Sequence, residues 1–455
     1  MAASISAAGA LAGVSPLTNA APATPSADSV TLPDTPAGQQ LHWVLDVLNG
    51  VTAAPDANDV EQRFAKLFLD QLPVAQIQEV LRQLSAQLAP VDVVQIVGIP
   101  TPRSLDVIVN AKGDQAFVIS ISVEDDPAHK INSLLFQPYT QEPPATPTLT
   151  DWSELEQLFA AAGPVYAIHA AEISGSEPVT IYDAHPGTML AVGSAFKFYV
   201  LGALATKIDA GELAWDQTVP VTETVKSFPS GVTQNESIGK RLSIDELSRR
   251  MISISDNTAT DMLIDTVSRE ACEDALDTQG NSDPARTIPF LKTREMFTLK
   301  LSDDTTLLQR YINAGVEARR AILAELEGAP LPPISTAVAW TTPIAFDTVE
   351  WFATAPDLGR AISWLWNQAE KPALAPVRDI LTINPGVPYD DTVWTSVAFK
   401  GGSEVGVVAF SWLLERNDGR RFTFSCGVNN PAQEVPVEQL ALAAAGAFGL
   451  LAAIE

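Results

Sequence analysis

The sequence is short of basic residues, of cysteine and of histidine, and each shortage removes a class of function. Lysine and arginine number 28 against 55 aspartates and glutamates, a formal net charge of −27. A surface that acidic repels phosphate backbones and anionic lipid leaflets, which argues against nucleic acid or a membrane surface as partner. The two cysteines, Cys272 and Cys426, do not make a disulfide scaffold, and nothing in their spacing says whether they pair. The four histidines, His42, His129, His169 and His185, lie far apart without HxxEH or CxxC companions, so neither a metal site nor a cofactor is expected. No apolar run in mid-chain reaches the ~18 residues of a membrane span. The C-terminal stretch LALAAAGAFGLLAAI is shorter than that and reads as a buried helix.

What the chain does have is ample material for packed cores. At 455 residues, 46% of them hydrophobic, two domains are expected. The opening MAASISAAGALAGVSPLTNAAPATPSADS is Ala-rich and carries a small-residue APA at Ala21 to Ala23. It resembles the apolar region and cleavage zone of a secretory signal peptide that lacks its basic flank; a low-complexity tail is the other reading. The first implies a secreted or cell-envelope protein, the second leaves a cytoplasmic one open. With the Pro- and Ser-rich linker that follows, residues 1–34 are set aside from the fold.

Over residues 35–145, three helical patterns (QQLHWVLDVLNG, DANDVEQRFAKLFLDQL and VAQIQEVLRQLSAQL) precede four strand-like alternations (VDVVQIVGI, SLDVIVNAK, QAFVISISVED and KINSLLFQP). Helices first and an antiparallel sheet afterwards predict a small α+β unit. Its element order resembles the cone-shaped NTF2-like (steroid-isomerase-like) fold. No acid–base pair in it has a distinctive spacing, so a spacer or docking role is expected of it before catalysis.

From residue 146 to 455 the pattern changes. VYAIHAAEIS and VTIYDAHP form a β-hairpin, a long helical stretch runs from SIDELSRRMISIS to EARRAILAELEG, and TVWTSVAFK, EVGVVAFSWLLER and RRFTFSCGV form a meander with a tight NDG turn. The two ends of this domain supply an antiparallel sheet and its middle a helical lobe, with a ligand cleft expected between them.

Three polar clusters interrupt its apolar runs. In AVGSAFKFYVLGAL, Ser194 and Lys197 stand one helical turn apart on one face. A lysine among Phe196, Phe198, Tyr199 and Val200 loses solvation, which favours its neutral form and makes it a general base beside a nucleophile; the bland alternative is a snorkelling surface lysine. In MISISDNTATDMLI, Ser255, Asp256 and Asn257 read either as a helix N-cap or as a cleft wall. There Ser255 relays a proton, Asn257 binds a substrate amide and Asp256 braces the loop. In AFKGGSEVGVVAF, Lys400, Gly401, Gly402 and Ser403 lie on a strand whose glycines mark either a bulge or a close backbone approach.

Taken together, SxxK, SDN and K-[TS]-G in this order resemble the signature of serine β-lactamases and penicillin-binding proteins. The resemblance covers about residues 150 to 455. It implies a β-lactamase/transpeptidase-like fold with Ser194, Lys197 and Ser255 catalytic and Asn257, Lys400, Gly401, Gly402 and Ser403 binding substrate. The backbone N–H groups of Ser194 and Ser403 would form the oxyanion hole. The implied partner is a small β-lactam or related amide or ester, opened through an acyl-enzyme. The chain departs from the pattern twice. Gly401 lacks the hydroxyl usual at the middle of the third motif, and GNSDPARTIPFLKTREMFTLK contains no Glu-x-x-Leu-Asn segment for deacylation. By position Glu295 is the nearest candidate base, although an acidic residue in a first helical turn is common for dipole reasons alone. Three functions therefore stay open: a turnover hydrolase, a D,D-peptidase, and a non-turnover penicillin-binding or biosynthetic accessory protein. An isomerase-like unit ahead of such a domain also resembles a group of actinobacterial serine hydrolases, one of them encoded in a clavulanic acid cluster. The oligomeric state is not legible.

Overall fold

The computed structural model describes residue 30 and residues 32–454, apart from 98–101, 114, 125, 140–145, 176, 334–335 and 338–339. The expected tail or signal-like segment lies almost wholly outside the described residues, as does part of the linker after the first sheet. The chain separates into two compact units at Pro144 and Ala145.

The first unit is α+β. Helices α1 (Pro36–Leu48), α2 (Ala57–Arg63), α3 (Lys66–Gln71) and α4 (Val74–Leu88) precede strands β1 (Asp92–Val97), β2 (Ser104–Ala111), β3 (Gln115–Val123) and β4 (Ile131–Tyr139), an antiparallel meander in chain order. Thr35 starts α1 by accepting the Gly38 N–H, with Pro36 in the first turn where its missing donor costs nothing. On α4, Ile77, Leu81, Leu84 and Leu88 form one buried stripe at helical spacing. They meet Val107, Val109, Ile119 and Ile121 from the sheet in a single apolar core. The segment expected as one helix over 56–72 is broken at Phe64. Phe64 is extended and bridges Ile131, and the Ala65 N–H donates to the Ile131 carbonyl at 2.9 Å. Burying the Phe64 ring against Trp43 and Phe68 outweighs the local helical tendency.

In the second unit, α5 (Trp152–Ala162), β5 (Val165–Glu172), β6 (Val179–Ala184), the short β7 (Leu190–Ala191) and α6 (Lys197–Asp209) come first. A helical lobe follows: β8 (Thr218–Pro220), β9 (Arg241–Ser243), α7 (Ile244–Ser253), α8 (Asn257–Val267), α9 (Arg269–Thr278), α10 (Thr293–Leu301), α11 (Thr305–Ile312) and α12 (Val316–Glu325). The chain closes through β10 (Phe352–Ala353), α13 (Ala355–Gln368), α14 (Pro376–Thr382), β11 (Trp394–Glu404), β12 (Val407–Arg416), β13 (Arg421–Asn429) and α15 (Val437–Ala452). The five-stranded antiparallel sheet runs β11-β12-β13-β5-β6, so the two ends of the unit pair with each other and β11 is an edge. β12 is buried on both faces. Val408, Phe410, Trp412 and Leu414 join the core that includes Phe448 of α15, while Ala409 and Leu413 join the core of the helical lobe. That double burial is why EVGVVAFSWLLER reads as a continuous apolar run. Cys272 and Cys426 are both buried and free. No helix among the described residues is long and apolar enough to cross a membrane.

Candidate active site

The turn that carries Ser194 is shaped by two glycines. Gly193, at φ +47°, redirects the chain from β7 into a 3₁₀ turn, Gly193–Phe196, that runs straight into α6. A side chain at Gly402 of β11 would stand 2.1 Å from the Val192 carbonyl and 2.4 Å from the Ser194 nitrogen. Backbone therefore lies against backbone, and the second glycine of the third motif marks a close approach and not a bulge. A side chain at Gly401 would meet the Phe399 ring at 2.8 Å and the Phe410 ring at 3.1 Å. The space of the missing hydroxyl is filled by aromatic rings.

Lys197 is fully buried, and four oxygens surround its amine. Ser194 Oγ and Ser255 Oγ lie at 3.1 Å each, the Ser255 carbonyl at 2.6 Å and Asn257 Oδ1 at 2.8 Å. None is a carboxylate. Burial, and then the charge of Lys400, hold the amine well below the ordinary lysine range, against a smaller opposite pull from Asp256 and Asp261. The carbonyl and the amide oxygen can only accept hydrogen bonds. A neutral amine has two N–H bonds for them and one lone pair left for the hydroxyls of Ser194 and Ser255.

Ser255 holds the left-handed backbone region, φ +57°, a conformation that costs a non-glycine residue about 1–2 kcal/mol. The loop is over-determined by Asp256. This buried carboxylate accepts from the N–H groups of Val232 and Thr233 at 2.7 and 2.8 Å and caps α8 through Ala259 at 2.8 Å. Asn257, first residue of α8, also donates one amide N–H to the Phe228 carbonyl at 3.1 Å, which leaves the second N–H unused. From the facing strand, Lys400 donates to Ser255 Oγ at 3.0 Å, and burial lowers its pKa to about 7. Ser194, Lys197, Ser255, Asn257 and Lys400 thus form one hydrogen-bonded cluster, with Gly402 and Ser403 against the Ser194 turn.

Glu295 is not part of it. Its carboxylate takes two hydrogen bonds from Arg269, at 2.6 and 3.1 Å, and one from the Lys292 N–H at 2.8 Å. Glu295, the expected candidate for a deacylating base, caps α10, anchors Arg269 and is not among the residues that line the pocket beside Ser194. The α10 residues that reach the pocket beside Ser194 are Thr293, Met296 and Phe297. Sequence reasoning missed other groups at the site. Ser230 donates to the Ser255 carbonyl at 2.6 Å, and Trp340, Trp351, Glu350 and Glu404 line the same pocket as Ser194 and Ser403. Glu404 follows the third motif directly, yet a glutamate on a strand carries no spacing signal. Among the described residues no group of three His, Cys, Asp or Glu side chains could hold a metal ion.

Residues 152–316 match the model of the beta-lactamase enzyme family, and residues 32–128 match that of the ORF 12 gene product N-terminal segment. Among solved structures, a β-lactamase from Sphaerobacter thermophilus is 21% identical, covering 66% of this chain and 97% of its own at a TM-score of 0.45. A β-lactamase from Chitinophaga pinensis is 14% identical over 66% and 96% (TM-score 0.43). PBP-A in an acyl-enzyme complex with penicillin G is 16% identical over 67% and 99% (TM-score 0.41). No curated protein matches the chain.

Proposed function

We propose that the chain, whose residues 152–316 match the model of the beta-lactamase enzyme family, is a serine hydrolase opening β-lactams or related amides and esters through an ester on Ser194. The observation that carries this reading is the buried Lys197 amine, 3.1 Å from Ser194 Oγ and with no carboxylate among its hydrogen-bond partners. Its lone pair takes the hydroxyl proton as Oγ bonds to the carbonyl carbon. The N–H groups of Ser194 and Ser403 receive the developing oxyanion. Ser255, shared by both lysines, passes a proton to the leaving nitrogen and regains one from Lys197. Lys400 attracts a substrate carboxylate, and the spare N–H of Asn257 meets a substrate amide oxygen.

The engagement of Glu295 by Arg269 favours a second reading, a penicillin-binding protein that acylates and releases slowly. The two part in one experiment: mass spectrometry with penicillin G alongside turnover of a chromogenic cephalosporin. The hydrolase reading expects a transient adduct and multiple turnovers, both lost in Ser194→Ala. A stable stoichiometric adduct selects the second reading. If wild type gains no adduct and turns over no faster than Ser194→Ala, both fall.

A further inference from the structure

The pocket beside Ser194 ends in an ion cluster that no motif covers. Lys300, one turn beyond Met296 and Phe297 on α10, is 0% exposed in its side chain. It donates to both oxygens of Glu404 at 2.7 Å and to Glu350 at 3.3 Å, while Trp340 covers it with its ring centroid 5.5 Å away. The two carboxyl groups are 1% and 4% exposed and share the Lys300 ammonium. A single ammonium compensates one negative charge, so two carboxyl groups share one counter-ion. Burial first, then the Glu350 charge, push the Glu404 carboxyl well above the usual range, against Lys300.

Both glutamates and Ser194 face the same cavity, and no other carboxylate is among the described residues that line it. Its water-accessible space of about 40 Å³ suffices for a few water molecules. A cluster that only braced the fold could sit anywhere in the core; this one lines the same cavity as Ser194.

We propose that the Glu350–Glu404 pair, oriented by Lys300, is the base that activates water to hydrolyse the Ser194 ester. The inference rests on the acyl-enzyme reading above. In the step, water transfers one proton to the ionised carboxylate as its oxygen bonds to the acyl carbon. The carbon–Oγ bond then breaks, Oγ takes a proton back through Lys197, and the product leaves as a carboxylic acid. That proton is the one water gave to the carboxylate: it reaches Lys197 through pocket water as Lys197 protonates Oγ, so the carboxylate returns to its ionised state. Lys300 is a positioning residue.

The test separates acylation from release. Wild type, Glu350→Gln, Glu404→Gln and the charge-retaining Glu404→Asp are treated with penicillin G and, separately, p-nitrophenyl acetate, and the adduct on Ser194 is followed by rapid-quench mass spectrometry. The glutamine variants are expected to acylate within about threefold of wild type and to release the acyl group about 10²- to 10³-fold more slowly, the loss typical of a missing general base. Hydroxylamine, a nucleophile that needs no base, should clear their adducts. Glu404→Asp should fall between and carries the test if a glutamine variant fails to fold. Release within threefold of wild type, or equal slowing of both steps, overturns the inference while leaving the acyl-enzyme reading intact. Failure of wild type to form any Ser194 adduct overturns that reading and the inference with it.

Discussion

The two units bury different things. In the N-terminal unit the core is apolar throughout, Leu41, Val44, Phe64, Leu81, Val107 and Ile119 being typical. Every buried polar or charged side chain among the described residues lies in the second unit, from Lys197 to Asn430. Within that unit, three lysines are handled in two ways. Lys300 is given two glutamates. Lys197 and Lys400 are given hydroxyl, carbonyl and amide oxygens, and burial lowers the pKa of both. A buried amine without an ion partner costs stability, and a fold keeps such a group where reactivity depends on it.

That contrast can be broken experimentally, most severely at Lys197. Lys197→Met should slow adduct formation on Ser194 by about 10³-fold, the weight of a general base, measured by rapid-quench mass spectrometry with penicillin G. A loss below tenfold would show that the amine is structural. The next effect is reserved for the other unit. Leu81→Ala should cost about 2–5 kcal/mol of N-terminal stability by opening a cavity, read by calorimetry, while the acylation rate stays within twofold. The smallest effect is a pH dependence. Lys400, its pKa drawn down to about 7 by burial, is charged below that pH and loses its charge above it. Affinity for a carboxylate-bearing donor such as penicillin G should therefore fall about tenfold between roughly pH 6 and 8, whereas p-nitrophenyl acetate shows no such fall. Parallel profiles for the two donors would remove Lys400 from carboxylate binding.

Legibility in the sequence followed the distance over which each feature is built. Ser194 and Lys197 share one turn, Ser255 to Asn257 are consecutive, and Lys400 to Ser403 occupy one strand, so each cluster shows locally, and the resemblance to serine β-lactamases is what joined them into one expected site. Their assembly depends on contacts such as Gly402 against Val192 and Ser194, which the paired glycines hinted at through their cost in a strand. Lys300, Glu350 and Glu404 are brought together only by tertiary packing, and nothing local marks any of them. Glu295 was ambiguous in the sequence because an acidic residue in a first turn serves a helix dipole as readily as a reaction; in the structure it pairs with Arg269. The break of α2 from α3 was hidden for a similar reason, since Phe64 answers to a strand far along the chain.

The pairing of β5 with β13 has a consequence for biosynthesis. The hairpin at the start of the second unit has no neighbour on its inner side until the final meander has been made. Ser194 and Lys197 leave the ribosome long before Lys400, and the strand that backs their turn, Trp394–Glu404, is translated well after them. On the proposed reading a nascent chain carries its nucleophile unassembled, and reactivity waits for the sheet to close, a slow event for contacts so remote in sequence.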